Sequence, residues 1–229
     1  MLRLHGKNLK LKGINELAEI LYLHVGLPEA KHWNGKTELS AICKKSVSEA
    51  FLSKETFSGD GVAATEFHGG PDRAVCFYPI EHYSQWSREF VRQIKAPTFG
   101  ENISAQGMME ANVYIGDIYR LGEATVQVSQ GRVPCSKISK NNGVEDLLKR
   151  VVQTGYTGYF FRVLEEGVVR SGSPIKLLDR SQENFSILKA NELFFHQRKN
   201  ILEIEQLLEV EALAEVWKEN LQKLLKQNN

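Results

Sequence analysis

Short apolar or alternating runs, cut by glycine turns every few residues, constrain this chain more than any other feature. Alternation matches the two-residue period of a strand, and runs this short cannot be core helices. Residues 17–25 form one such run, ended by Gly26-Leu27-Pro28, and Asn34-Gly35 is a turn signal ahead of residues 37–47. Ala74-Val75-Cys76-Phe77-Tyr78, closed by Pro79, reads as a buried strand. Val113-Tyr114-Ile115, Ile118-Tyr119-Arg120-Leu121 and residues 124–128 give three more, with Gly116-Asp117 and Gly122-Glu123 between them. Residues 159–164 and Val168-Val169-Arg170 read as a hairpin around Glu165-Glu166-Gly167, and residues 174–178 add a last strand. Such a chain is mainly β, and a closed or nearly closed barrel is the expected architecture.

Helical periodicity interrupts this pattern in few places. Ile80, Tyr83, Trp86, Phe90 and Ile94 are spaced by three and four and predict a helix over residues 80–94; residues 144–152 predict a short one ending at Thr154-Gly155. Beyond Arg180 the composition changes. Ser186 can cap a helix carrying Ile187, Leu188, Leu193 and Phe194, and Asn200 can cap a second with Ile201, Ile204, Leu207 and Leu208. A third holds Leu213, Val216, Trp217, Leu221 and Leu224. The expected organisation is a barrel over residues 1–180 and a three-helix module over 181–229, which is too small to be stable alone and so should pack on the barrel.

In 229 residues, 29 Lys plus Arg stand against 28 Asp plus Glu, so no broad positive field marks a nucleic-acid or membrane surface. No secretory signal or membrane-spanning run is visible, and Cys43, Cys76 and Cys135 are too few and too scattered for a disulfide framework or a CxxC metal site. A cytoplasmic protein with reduced thiols is expected.

Chemistry concentrates in three places. In Ser129-Gln130-Gly131-Arg132-Val133-Pro134-Cys135-Ser136-Lys137 a cysteine stands between two cations, which favour the thiolate, the form that attacks electrophiles and binds soft metals. A free cysteine is otherwise a small buried hydrophobe, as expected for Cys76 between Val75 and Phe77. His68-Gly69-Gly70, followed by Pro71-Asp72-Arg73, can turn successive backbone N–H groups into one concavity for an anion, although paired glycines are more often only a turn. Asp72 is free to pair with Arg73 or to cap the turn. Phe99-Gly100-Glu101-Asn102 offers a carboxylate and an amide beside a hinge, and the amide either recognises a donor–acceptor edge or satisfies its own loop.

Taken together and in this order, these segments resemble the MOSC domain family, related to the C-terminal domain of molybdenum cofactor sulfurase. The likeness is to its branch in which the barrel precedes a short helical module, and it covers roughly residues 35 to 180 well. The resemblance implies a MOSC-type β-barrel with a pocket at its mouth that binds molybdenum cofactor (molybdopterin), Cys135 being the metal ligand. It further implies cofactor contacts from His68, Gly69, Gly70, Arg73, Glu101, Asn102, Gln130, Arg132 and Lys137, with Lys137 or His68 as proton donor beside Cys135. The activity expected by analogy is reduction of N-hydroxylated small molecules such as hydroxylaminopurines. The electrons would come from a separate donor protein, because no flavin or nicotinamide motif is present. The alternative is a sulfur carrier that uses a Cys135 persulfide. Two positions depart from the branch pattern: Tyr156 stands where a basic residue is common and Ser173 where an acidic one is. The acidic C-terminal helices, with Glu203, Glu205, Glu209 and Glu211, suit protein docking better than DNA.

Overall fold

The computed structural model describes residues 18–63 and 69–228. The first strands are β1 (Ala18–Val25), β2 (Glu29–Trp33), β3 (Lys36–Ser40), β4 (Lys45–Ser46) and β5 (Glu49–Leu52). β2 and β3 are the hairpin signalled by Asn34-Gly35, both residues having positive φ. A 3₁₀ turn, Pro71–Arg73, leads into β6 (Val75–Pro79), followed by α1 (Glu81–Glu89), β7 (Ile103–Ala105), β8 (Ile118–Leu121) and β9 (Ala124–Gly131). Helices α2 (Lys137–Asn142) and α3 (Leu147–Thr154) precede β10 (Tyr159–Glu165), β11 (Gly167–Arg170) and β12 (Pro174–Asp179). The chain continues through α4 (Ile187–Phe195), α5 (Ile201–Leu208) and α6 (Glu215–Asn228).

Seven strands close into a barrel in the order β12-β8-β9-β10-β6-β7-β1, and β1 returns to pair with β12. All barrel pairs are antiparallel except β6 with β7, which α1 joins as a crossover on the outside. Closure removes the free edges that an open sheet would expose. Inward residues such as Val75, Phe77, Val126, Val128 and Phe161 form the main core, and it runs on without a break into Ile187, Leu193, Ile204, Trp217 and Leu221 of α4–α6. The C-terminal helices are therefore packed on the barrel, as their size required. Ser186 caps α4 through Lys189 N–H, and Asn200 caps α5 through Glu203 N–H. A second core, outside the barrel, joins Tyr78, Tyr83, Trp86 and Phe99 to Ile138, Leu147 and Val151, and so fixes α2 and α3 against α1.

Four expectations are corrected. Val113-Tyr114-Ile115 is not a strand: Tyr114 makes a single bridge to Ser186, and Tyr114 N–H is taken by Asp117 Oδ2. β10 and β11 do not form a hairpin. β11 pairs with β5, while both edges of β10 are occupied by β6 and β9. The helix foreseen over residues 144–152 is present as α3, ended by Gly155 in left-handed conformation, but an unforeseen helix, α2, ended by Gly143, lies between it and Cys135. Helix α1 stops at Glu89, because Val91 takes a φ of 47°.

Candidate functional site

At one end of β6 and β9 the loops enclose a cavity of about 290 Å³, at the lower limit of small-molecule sites. Gly69, Gly70 and Arg73 form one wall, Arg132, Cys135 and Lys137 another, and Lys44, Asp60 and Asn102 a third. Segments far apart in sequence, which were expected to share one site, do line a common space. Among the described residues no cluster of three or more histidine, cysteine or acidic side chains could hold a bare metal ion.

Arg132 follows directly from β9, and its Nη1 is buried with no hydrogen-bond partner among the described residues. An unpaired buried donor costs roughly 1–3 kcal/mol or more when charged, so such a group is ordinarily satisfied by protein, water or ligand. Burial works against the guanidinium charge, yet the nearby thiols of Cys76 and Cys135 and the Glu101 carboxyl outweigh it and hold the pKa above its ordinary value. Cys135 is half-buried beside α2, whose position the second core sets. Lys137, in the first turn of α2, donates through Nζ to Leu39 O at 2.8 Å. Gly69 and Gly70 have φ of 92° and 87°, and a Cβ on Gly70 would meet nothing within 4 Å, which leaves that face of the backbone open. His68 lies outside the described residues.

Three residues expected as cofactor contacts have hydrogen-bond partners within the protein. Glu101 does not line the cavity: its oxygens accept from Tyr83 OH, Ser104 Oγ and Phe99 N–H, and burial raises its carboxyl above the usual range. Asn102 reaches the wall, but its Oδ1 accepts from Cys76 N–H at 3.0 Å while Nδ2 donates to His24 O and Asp60 Oδ2. Its amide ties β1, β6 and the Asp60 loop together rather than standing free to read a pterin edge. Gln130 is buried with its Nε2 on Gly131 O and is not part of the cavity lining. Asp72 accepts from Arg162 Nε at 2.8 Å, and its charge also acts on the neighbouring Arg73.

Several wall residues escaped the sequence reading. Lys44 and Asp60 form an ion pair with side chains only 5% and 4% exposed, and Asp60 also accepts from Gly26 N–H and Asn102. Only a glycine-flanked aspartate signalled it. Cys76, expected in the core, is 8% exposed and faces the cavity; burial pushes its thiol up, against the pull of Arg132. His24 is buried behind this wall with neither ring nitrogen bonded, and burial followed by the charge of Lys44 lowers its pKa to about 4. Tyr156, at the position where the branch favours a basic residue, stacks on His82 at 4.4 Å and is not a lining residue.

Comparison with known proteins agrees with this architecture. The MOSC domain family matches residues 64–176, and the family described as YiiM-like, 3-alpha helix domain matches residues 186–228. The chain is 44% identical to YflK of Bacillus subtilis, covering 91% of this chain and 95% of that one. It is 39% identical to YiiM of Escherichia coli over 80% of this chain and 84% of the relative. A longer protein of Gibberella moniliformis named "Reductase" is 33% identical, over 75% of this chain and 32% of its own. The crystal structure of YiiM from Geobacillus stearothermophilus superposes with a TM-score of 0.77 at 36% identity, covering 91% of this chain and 99% of that one. The closed barrel, the cavity at its mouth and the appended helices thus belong to a MOSC domain protein of the YiiM-like group.

Proposed function

We propose that the cavity binds molybdenum cofactor and that the protein reduces N-hydroxylated small molecules of the hydroxylaminopurine kind. The observation that carries this reading is Arg132, whose Nη1 is buried and has no partner among the described residues, and which lines the same cavity as Cys135 and Gly70, the latter with an open backbone face. That combination offers a soft donor for a metal and a cationic, N–H-lined wall for an anionic group. Cys135 would ligate the metal; Arg132, Arg73, Lys137 and the glycine pair would hold the phosphate-bearing portion. When bound there, the cofactor supplies two-electron redox chemistry, by which an N–O bond is cleaved to an amine and water.

The protein's own residues contribute position and protons. Lys44 is paired with Asp60, and Arg132 and Lys137 add positive charge on the wall of Cys135. The Lys137 ammonium, held by Leu39 O, would deliver a proton to the leaving oxygen, and His68 is the second donor in this reading. Electrons come from a separate donor protein. The name of the fungal relative, "Reductase", supports the oxidoreductase class.

The test is molybdenum and pterin content per chain in protein purified from a host that makes the cofactor, with turnover of 6-hydroxylaminopurine driven by a reduced viologen dye. Parent protein should carry near-stoichiometric molybdenum and turn over, and Cys135→Ser should lose both while keeping its circular dichroism spectrum. Equal molybdenum and turnover in the variant would remove Cys135 as ligand. Parent protein without molybdenum but with a persulfide on Cys135 would replace this reading by the sulfur-carrier alternative.

A further inference from the structure

Asn191, on α4, is fully buried, and its side chain reaches out of the helical module into the barrel loops. Its Nδ2 donates to Gly155 O at 2.8 Å and to Thr157 Oγ1 at 3.0 Å, so both amide hydrogens are committed to one loop. Its Oδ1 sits against Gly131, where a Cβ would come within 2.0 Å of it and within 3.1 Å of the Trp217 ring. Gly131 is not in the left-handed region, so its missing side chain answers to this close approach and not to a turn. The next residue is Arg132.

A second contact leads to the same place. Arg132 N–H donates to Gly158 O at 3.0 Å, and Gly158 N–H donates to Glu110 Oε1 at 2.9 Å. The backbone of Arg132 thus hangs from a loop pinned by Asn191 on the module side and by Glu110 on the barrel side. At the other cationic wall, Glu215 N–H at the start of α6 donates to Asp72 Oδ2 at 3.3 Å, one residue before Arg73.

We propose that Asn191 is a positioning residue for the cavity: through Gly131 and residues 155–158, the C-terminal module sets where the Arg132 guanidinium points. This rests on the reading of Arg132 as an anion-holding group. The module is thereby part of the site's framework, although none of its described residues lines the cavity.

The experiment compares Asn191→Ala with Leu208→Ala, a change of a half-buried module residue, and with Thr157→Val, which removes one acceptor of Asn191 and the Thr157 Oγ1 donor to Gly158 O. Two quantities are read in the full chain: amide exchange at Arg132, and the inorganic phosphate concentration that halves the rate of Cys135 alkylation. Losing these buried hydrogen bonds should change each by about tenfold in Asn191→Ala, and in the same direction in Thr157→Val. Leu208→Ala should move neither, even where its melting temperature falls as far. Equal effects in Leu208→Ala, or unchanged exchange at Arg132 in both loop-directed variants, would overturn the proposal. If phosphate fails to protect Cys135 in the parent, the anion-holding reading fails, and the exchange comparison still decides whether Asn191 positions Arg132.

Discussion

The three thiols occupy three environments, and their reactivity should differ accordingly. Cys135 is half-buried at the cavity, Cys43 donates through Sγ to Asn141 Oδ1 at 3.2 Å, and Cys76 is buried with its thiol pushed up. Alkylation mapped by mass spectrometry should label Cys135 first and Cys76 last, since the thiolate is the reacting form; labelling of Cys76 ahead of Cys135 would contradict this. His24 carries a pH prediction. Its folded pKa of about 4 lies below the unfolded value of about 6.5, so the unfolded chain binds more protons between those values and stability falls as pH drops through that window. From pH 7 to pH 5 the loss due to His24 is about 2 kcal/mol, measurable by urea unfolding. Glu101, shifted upward, works in the opposite sense, so the quantity to read is the difference between parent and His24→Gln. The cysteine, arginine and glycine positions of the cavity were legible because each has a local signature. Glu101 and Lys44 were not: whether a charge faces a cavity or a Tyr83 hydroxyl depends on what another segment brings to it.

Elements were legible where local periodicity decided them and obscure where a distant partner did. The β2–β3 turn, the strand of Cys76 and the caps at Ser186 and Asn200 follow from a few neighbouring residues. β11 looked like the return strand of β10, but its partner β5 lies over a hundred residues earlier in the chain, and nothing local announces such a pairing. α2 was hidden because its six residues carry too little apolar pattern for a periodicity, only Ile138 and Asn142 being buried. The early end of α1 supplies a prediction. Val91 holds a φ of 47° with 92% of its surface exposed, so its side chain contributes little packing while its backbone pays the left-handed penalty of a β-branched residue. Val91→Gly should raise stability by about 1 kcal/mol in chemical denaturation; a loss would show that the apolar side chain matters more than the strain.

At the scale of the molecule, two cores divide the labour. The inner one makes barrel and C-terminal helices a single packed body, and the outer one holds α1, α2 and α3 beside the cavity. The family resemblance made the barrel readable in advance, whereas the way the module braces Arg132 depends on contacts between surfaces remote in sequence. At the seam where β1 meets β12, Ala18 faces Ile175 and Glu19 faces Pro174. During synthesis at roughly 5–20 residues per second, the first barrel strand therefore waits on the order of ten seconds for the last one to be made. Throughout that interval β1 is an unpaired edge bearing Ile20, Leu21, Tyr22 and Leu23, open to any other nascent strand of similar character. The ribosome's pace, and whatever shields the emerging chain, thus decide how much of this protein reaches a closed barrel.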